Sequence, residues 1–151
     1  MTNTGMSPQI AFFFASSLES HEQPALFYLI SGLPKPVTIF LSLGLIYFEP
    51  QKTYQTIMNV YVDGKREIAD FKSSFSTPPL SNPDLRIKKE SLVFALSTPP
   101  IELPSRISFV RVQLSILYPD NNDTLSTVQT WIQSVPSEFP LSDRNMKKSN
   151  Q

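Results

Sequence analysis

The residues that could carry nucleophilic or acid–base chemistry are few and scattered along the chain. His21 is the single histidine, and Ser16, Ser17 and Ser20 precede it in a polar stretch that we expect to be a loop. A Ser-His-Asp triad on a nucleophile elbow would need a Gly-x-Ser-x-Gly motif, and the sequence contains none. We therefore interpret His21 as a surface loop histidine.

Paired carboxylates are the next candidates for catalysis. Three pairs are close in sequence: Glu19 with Glu22, Glu67 with Asp70, and Asp120 with Asp123. Glycoside hydrolysis needs two carboxyl groups held across a cleft at a defined separation, which closeness in sequence does not provide. With no recognisable catalytic constellation, we expect a protein that is not an enzyme.

The stretch at 119–123, Pro-Asp-Asn-Asn-Asp, is rich in the oxygen ligands that calcium prefers. It does not match the EF-hand template, because no glycine stands at the sixth position and Trp131 occupies the place of the twelfth-position glutamate. A calcium site shared with Asp63 or Asp84 from other loops stays open. The alternative is an Asx-rich hairpin turn, which we favour.

Two residue counts exclude whole classes of site. The chain has no cysteine, so it can form neither disulfides nor zinc–thiolate centres. Phosphate-cradling loops and dinucleotide fingerprints need clustered glycines, whereas the four glycines here are isolated. The glycines stand at Gly5, Gly32, Gly44 and Gly64. Because both kinds of site are excluded, we predict no cofactor.

The charge balance bears on the partner class. Lys+Arg and Asp+Glu both number 13, for a formal net charge of zero. Nucleic-acid-binding domains usually carry a basic excess, so we expect no nucleic-acid partner. Sparse, balanced charge lowers colloidal stability and favours an assembled or partner-bound state, so we expect the partner to be another protein or a second copy of the chain.

Two apolar runs raise the question of a membrane segment. The runs at 10–15 and 38–48 are both shorter than the 18 or so residues that a spanning helix needs. The first is also too short for a signal-peptide core, and no Lys or Arg precedes it. We expect a protein of the cytoplasm, or of a particle assembled there, with no membrane partner.

Fourteen prolines divide the chain into segments rich in β-branched and aromatic residues. The sequence Ser-Thr-Pro-Pro occurs twice, at 76–79 and 97–100, where we expect similar strand exits. The pattern predicts an all-β fold, an antiparallel β-sandwich of about eight strands, in a single domain over 9–135. Residues 1–8 are predicted to be a flexible N-terminus and 136–151 a flexible tail. The predicted strands are 9–16, 25–33, 37–48, 54–62, 65–75, 86–96, 107–117 and 124–134.

Period-two alternation supports several of these strands. Asp63 and Gly64 suit a two-residue type I′ hairpin turn between the fourth and fifth, pairing Val62 with Lys65. A regular ladder beyond that turn would pair Met58 with Ala69 and Thr56 with Phe71. Each of three strands is expected to have one face formed by a set of alternating residues: Tyr54, Thr56, Met58, Val60 and Val62 in the fourth, Leu92, Phe94 and Leu96 in the sixth, and Val110, Val112, Leu114 and Ile116 in the seventh.

Two segments depart from simple alternation. The segment 37–48 is apolar on both faces, which predicts a central strand covered on both sides or a strand at a subunit interface. Gly44 within it indicates a bulge or a close backbone approach. In 125–135, Leu125, Val128 and Ile132 have helical spacing, so a helix is the alternative there to a strand.

Exposed aromatic residues are the best candidates for binding. Trp131 falls among Thr127, Gln129 and Gln133 on the polar face of the eighth predicted strand, where it could anchor a protein or stack a sugar ring. Burial in the core or against the tail is the alternative, which we favour. We predict a non-catalytic binding or assembly module, and a small-ligand or carbohydrate-binding β-sandwich is the second hypothesis. The predicted interface residues are Trp131, Tyr47, Phe48, Phe40 and Tyr61.

The opening of the chain resembles a known family. Residues 10–17, Ile-Ala-Phe-Phe-Phe-Ala-Ser-Ser, are followed after a polar turn by 25–32, Ala-Leu-Phe-Tyr-Leu-Ile-Ser-Gly. Over about 25 residues this resembles the start of a family of small, uncharacterised bacterial and phage β-sandwich proteins. The sequence departs from that family at 22–24, Glu-Gln-Pro, where a charged Gly-Lys-like turn is common. The resemblance implies a fold and no activity.

Overall fold

The computed structural model describes residues 8–18, 20, 22–79 and 90–138, and all regular structure in those ranges is β-strand. This confirms the all-β prediction. The ten strands in chain order are β1 (Gln9–Ala15), β2 (Phe27–Ile30), β3 (Lys35–Val37), β4 (Phe40–Phe48), β5 (Thr53–Val62), β6 (Lys65–Ser76), β7 (Glu90–Ser97), β8 (Ile101–Leu103), β9 (Ser108–Leu117) and β10 (Thr124–Pro136).

The strands form a large sheet, a small sheet and one separate pair. The large sheet has the order β2-β10-β9-β5-β6, the small sheet β1-β4-β7, and β3 pairs with β8. One buried cluster draws on both sheets, with Leu41 and Leu43 from β4 and Val112 and Leu114 from β9. The sheets therefore sandwich a common core.

Alternation along β5, β7 and β9 follows the sequence pattern. Every second residue of β5 and β9 is buried, because the large sheet presents one face to the core and the other to solvent. The segment that could have been helical is β10, which pairs antiparallel with β9 along most of its length. Tertiary pairing overrides the helical spacing of Leu125, Val128 and Ile132 there.

The described ranges contain ten strands, where the sequence predicted about eight. The segment 37–48 does not form one strand: it is interrupted at Thr38 and Ile39, and β3 pairs with β8 and not within the small sheet. Ile39 is fully buried, and its N–H donates to Thr98 Oγ1 at 3.0 Å. A strand as short as β8 between prolines has too few residues to show a period, which is why the sequence did not reveal it.

The arrangement is also not purely antiparallel, because β2 runs parallel to β10 and pairs Phe27 with Gln133. After β1 the chain folds back, with the Ala25 N–H donating to the Ala15 carbonyl at 2.8 Å, and then passes to the edge of the large sheet. This neighbour is more than a hundred residues away in sequence, so no local signal could have predicted it.

The Asp63–Gly64 hairpin forms as predicted at its tip and shifts beyond it. Both residues have positive φ, 50° and 86°, and Val62 pairs with Lys65. Register shifts then place Met58 opposite Phe71 and not Ala69, which corrects the regular ladder. For the same reason Thr56 lies opposite Ser73.

The irregular part of this hairpin has a polar anchor. Asp70 has a φ of 49°, and its N–H donates to Asn59 Oδ1 at 2.9 Å. Asn59 Oδ1 also accepts a hydrogen bond from Arg66 Nη1 at 3.2 Å. One amide oxygen of β5 thus holds the extra residues of β6 in place.

The small sheet is built around β4, which lies between β1 and β7. Its odd-numbered residues Leu41, Leu43 and Leu45 face the core. On the outer face Gly44 is buried under the Phe12 ring, so close that a Cβ at position 44 would collide with it. The predicted central strand and close approach at Gly44 are both confirmed, whereas the bulges lie in β1 and between Leu45 and Phe48.

The two Ser-Thr-Pro-Pro sequences end β6 and β7 in the same way. Thr77 and Thr98 are both buried, and their hydroxyls accept hydrogen bonds from the N–H groups of Lys52 and Ile39. The predicted strand exits are confirmed.

Some predictions fall outside the described residues: His21, Glu19, Asp84, the first residues of the predicted strand 86–96, the N-terminus up to residue 7 and the tail beyond Glu138. Within the described ranges, no helix has the length and hydropathy to cross a membrane.

Candidate interaction surface

The outer face of the large sheet carries a row of large side chains across three neighbouring strands. Trp131 of β10 lies opposite Arg111 of β9, and Arg111 lies opposite Tyr61 of β5. Their buried neighbours in each strand, Val112 among them, point to the core, so alternation turns these three outward. The fold thereby places two predicted interface residues, Trp131 and Tyr61, on either side of one arginine.

Arg111 is held between the two rings. Its guanidinium carbon lies 3.9 Å from the centroid of the Tyr61 ring and 5.6 Å from that of Trp131. Nη1 also donates to Gln129 Oε1 at 3.2 Å. A cation over an aromatic face contributes about 0.5–1 kcal/mol at an exposed site. These contacts hold the guanidinium over the Tyr61 ring, beside Gln129 and Trp131.

Trp131 is 55% exposed on the outer face of its strand, so the favoured expectation of burial in the core is wrong. The tail beyond Glu138, the other expected cover, lies outside the described residues. The cause of its outward direction is local, since Ile132 next to it is only 3% exposed and occupies the core side. A tryptophan this open on a regular strand is a candidate anchor for a partner.

Exposed apolar residues extend the surface toward β2. Phe27, Leu29 and Phe109 are 53%, 54% and 57% exposed. Phe27 and Phe109 flank Gln133, because Gln133 pairs with Phe27 on one side and with Phe109 on the other. We call this surface the aromatic face; it comprises Phe27, Leu29, Tyr61, Phe109, Arg111, Gln129, Trp131 and Gln133.

Sequence reasoning found only part of this face. The alternation that buries Val110 and Val112 also implies that Phe109 and Arg111 project together on the other side, so a signal for these two was present. No pattern in the sequence indicated that Phe27 and Leu29 belong to this face, because their place beside Phe109 depends on the parallel pairing of β2 with β10.

A shallow groove of about 420 Å³ lies at the hairpin end of the aromatic face, between Tyr61, Phe109 and Trp131. Asp63 contributes to its wall: Oδ1 accepts the Phe109 N–H at 2.9 Å, and Oδ2 accepts Arg106 Nη2 at 3.0 Å. The hydrogen bond from the Phe109 N–H, with that from Arg106, lowers the pKa of the Asp63 carboxyl. The groove thus combines apolar walls with an ionised carboxylate that already has its partners.

The other predicted interface residues lie on the small sheet. Phe48 is fully buried in the core, so it is not on a surface that a partner could contact. Tyr47 is 39% exposed with a φ of 59°, at the shift in pairing between β4 and β7, and Phe40 is half-buried opposite Ser97. The structure does not bring these three together with Trp131 and Tyr61.

The loop at 119–123 is an Asx turn between β9 and β10. The Asp123 N–H donates to Asn121 Oδ1 at 3.0 Å, and the Tyr118 N–H donates to the Asp123 carbonyl at 2.8 Å. Across the described ranges, no group of three or more histidine and carboxylate side chains is placed to hold a metal ion. The hairpin-turn interpretation of this loop is the one that the structure supports.

A second groove, of about 590 Å³, lies beside the hairpin tip. It is lined by charged residues of both signs and by two prolines: Asp63, Lys65, Glu67, Glu102, Arg106, Pro34 and Pro104. Its lining residues include no histidine or serine.

No protein-family model matches the chain, and comparison with curated proteins also finds no match. The resemblance of residues 10–32 to a bacterial and phage β-sandwich family stays a prediction.

Proposed function

We propose that this protein is a non-catalytic binding module whose aromatic face contacts another protein. The observation that carries the proposal is the set of four exposed large apolar residues that the outer face of the large sheet presents: Phe27 and Phe109 on either side of Gln133, Leu29 on β2, and Trp131 opposite Arg111. Exposed apolar side chains scattered singly need no explanation, but a contiguous group marks an interaction surface.

The residue types fit a protein interface. Tryptophan, tyrosine and arginine are the residues most enriched among those that dominate binding energy, and here they form one row of cross-strand neighbours. Arg111 is ordered by Tyr61 and Gln129 before any partner arrives, so binding need not pay the full entropy of fixing its side chain.

The chemistry of the partner follows from the same contacts. Trp131 and Phe109 offer apolar surface, while the half-buried Arg111 guanidinium keeps donors beyond the one used by Gln129. The complementary surface is an apolar side chain beside a carboxylate.

Carbohydrate binding is the second candidate, because the amides of Gln129 and Gln133 flank an exposed tryptophan. Two features favour the protein partner. The Arg111 guanidinium covers one face of Tyr61, which removes that face as a sugar-stacking platform, and Leu29 extends the surface with an aliphatic side chain.

A photo-cross-linking experiment tests the proposal. A benzophenone amino acid replaces Gln129 in the full chain, and as a matched control it replaces Ser74, an exposed residue of β6 outside the aromatic face. We expect irradiation in the native host to give a discrete cross-linked protein from position 129 and none from position 74. Adding Trp131→Ala should abolish the product.

Two outcomes would contradict the proposal. One is equal cross-linking from both positions, and the other is a product from position 129 that survives Trp131→Ala. Binding of the purified wild-type chain to an immobilised glycan, lost in Trp131→Ala, would establish the carbohydrate alternative instead.

A further inference from the structure

The free edge of β7 differs from the other strand edges. β7 is an outer strand of the small sheet, and between residues 91 and 97 it contains no charged residue. At the far side of the large sheet, β6 is also an outer strand, but it carries five charges that discourage pairing with another chain, at Lys65, Arg66, Glu67, Asp70 and Lys72.

The remaining outer strands are short or partly covered. β2 has four residues. At the end of β1 the Ala15 carbonyl accepts the Ala25 N–H, and Ser16 forms a bridge with Pro24. Within the described ranges, β1 (residues 9–15) and β7 (residues 91–97) are thus the two long uncharged edges, and β7 is the one whose outer side has no backbone pairing.

The hydrogen-bonding phase of β7 follows from its pairing with β4. The Thr98 N–H donates to the Ile39 carbonyl, and the register continues by pairing Leu96 with Leu41 and Phe94 with Leu43. Because hydrogen-bonded pairs alternate in an antiparallel ladder, the even-numbered residues of β7 bond to β4. The backbone groups of Ser91, Val93, Ala95 and Ser97 therefore point to the free edge.

The sequence of this edge is nearly palindromic about Phe94. Residues 91–97 read Ser-Leu-Val-Phe-Ala-Leu-Ser. An antiparallel copy related by a two-fold axis at Phe94 places Ser91 opposite Ser97, Leu92 opposite Leu96 and Val93 opposite Ala95. Each residue then meets one of its own kind or a small apolar residue, which is the self-complementarity of an isologous interface.

The two-fold axis at Phe94 also satisfies the backbone. It makes Val93 and Ala95 of the partner a hydrogen-bonded pair, and both have edge-facing N–H and C=O groups. The side chains that the axis pairs also lie on the same face of the joined sheet, because Val93 and Ala95 both project from the outer face of the small sheet. Val93 is 66% exposed there. We propose that β7 pairs with β7 of a second copy of this chain about that axis, joining two small sheets into one continuous sheet.

The dimer and its axis are tested with charged pairs at the edge. The full chain is expected to be a concentration-dependent dimer in sedimentation velocity. Val93→Lys with Ala95→Lys places like charges directly opposite across the axis, so we expect the dissociation constant to rise about tenfold or more. Val93→Lys with Ala95→Glu places opposite charges there and should keep the dimer, with affinity that falls as salt is raised.

Ser74→Lys, on β6, is the matched control and should leave the dimer unchanged. Thermal unfolding of all variants checks that these exposed substitutions leave the fold intact. A wild-type chain that stays monomeric at every concentration would overturn the proposal, and so would a double-lysine variant that dimerises like the control.

Disulfide cross-linking tests which residues of the two β7 strands lie opposite each other. The chain has no cysteine, so Val93→Cys and Ala95→Cys each introduce the only thiol. In the proposed pairing the two positions have Cα atoms about 5.5 Å apart, within disulfide range, whereas position 93 is only diagonal to itself at about 7–8 Å. When the Val93→Cys and Ala95→Cys variants are mixed and oxidised with diamide, we expect a disulfide-linked heterodimer. Either variant oxidised alone should give little disulfide-linked dimer.

Equal cross-linking in the separate and mixed samples would reject the axis at Phe94. Because the aromatic face lies on the other sheet, Trp131→Ala should leave dimerisation unchanged, and failure of one proposal would not affect the other.

Discussion

The guanidinium carbon of Arg111 lies 3.9 Å from the centroid of the Tyr61 ring, directly across the ladder between β9 and β5. Because Trp131 is opposite Arg111 on the other side, one cation links the aromatic residues of three strands. The contact between Arg111 and Tyr61 therefore joins β9 to β5, and it lies within the candidate interaction surface.

Arg111→Lys is expected to lower the free energy of unfolding by up to about 1 kcal/mol, because lysine keeps the charge but not the planar group that lies over the ring. Urea denaturation measures the change. A double-mutant cycle of Arg111→Ala with Tyr61→Leu isolates the contact, and Gln113→Ala, on the same face of β9, is the control. A coupling free energy indistinguishable from zero would show that the contact has no energetic weight.

Trp131 is the only tryptophan, so the fluorescence of the whole chain reports on the aromatic face. Being 55% exposed, it should emit close to the wavelength of tryptophan in water and be quenched readily by iodide. Unfolding in urea should then change its emission wavelength little. Blue-shifted emission that iodide does not quench would mean that the residue is covered in solution.

Tyr28→Phe is expected to destabilise the fold by about 1–2 kcal/mol. The buried Tyr28 hydroxyl donates to the Ser16 carbonyl at 2.6 Å and accepts the Phe40 N–H at 3.1 Å. These bonds join β2 of the large sheet to the residue after β1 and to the first residue of β4, the two neighbouring strands of the small sheet. Thermal or urea unfolding measures the loss. An unchanged stability would show that the two hydrogen bonds make no net contribution.

Alkaline pH should distinguish Tyr28→Phe from the wild type in a second way. Burial raises the pKa of Tyr28 above its ordinary value, although its hydrogen bond with Phe40 acts in the opposite direction. The unfolded chain therefore loses this proton first, so the contribution of Tyr28 is fully present below about pH 10 and is lost as pH rises through the raised pKa. Wild-type stability should fall more steeply than that of the variant above pH 10. Parallel curves would contradict the assignment.

Gly44→Ala should destabilise the small sheet, because the added Cβ would meet the Phe12 ring. Phe12 is 39% exposed and can move outward, so we expect a loss of about 1–2 kcal/mol and not a failure to fold. In the Phe12→Ala background the same substitution should cost much less. Equal costs in both backgrounds would locate the strain elsewhere in β4.

Asp63→Asn should destabilise the protein at neutral pH and have no effect in acid. Its lowered pKa means that the ionised carboxylate, bound by the Phe109 N–H and Arg106, stabilises the fold above its ordinary pKa near 3.9 and loses that contribution as pH falls through the lowered value. Because the group is partly exposed, solvent screening limits the difference at pH 7 to about 1 kcal/mol or less. Asparagine tolerates the φ of 50°, so the turn itself is conserved.

Urea denaturation of both proteins between pH 2 and pH 7 measures this difference. The two stability curves should converge as pH is lowered below the ordinary pKa of an aspartate, and curves that run parallel over the whole range would mean that the substitution acts through the turn geometry and not through the charge.

The sequence alone determined what depends on neighbours along the chain. Period-two patterns in β5, β7 and β9 identified their buried faces, because a strand turns successive side chains to opposite sides whatever its partners are. Asp63 and Gly64 identified the hairpin tip, because few other residues accept positive φ at both positions. The same alternation put Trp131 on the more polar face of β10, but its exposure was decided by the tertiary structure, since the sequence favoured burial.

Tertiary structure decided what depends on distant partners. The pairing of β2 with β10 brings Phe27 beside Phe109, and the ladder of β9 with β5 and β10 brings Arg111 between Tyr61 and Trp131. It also buried Phe48, which the sequence placed at an interface. Alternation along a strand indicates which side chains share a face. It does not indicate which strand pairs with it in the sheet, because that pairing depends on how the whole sandwich packs.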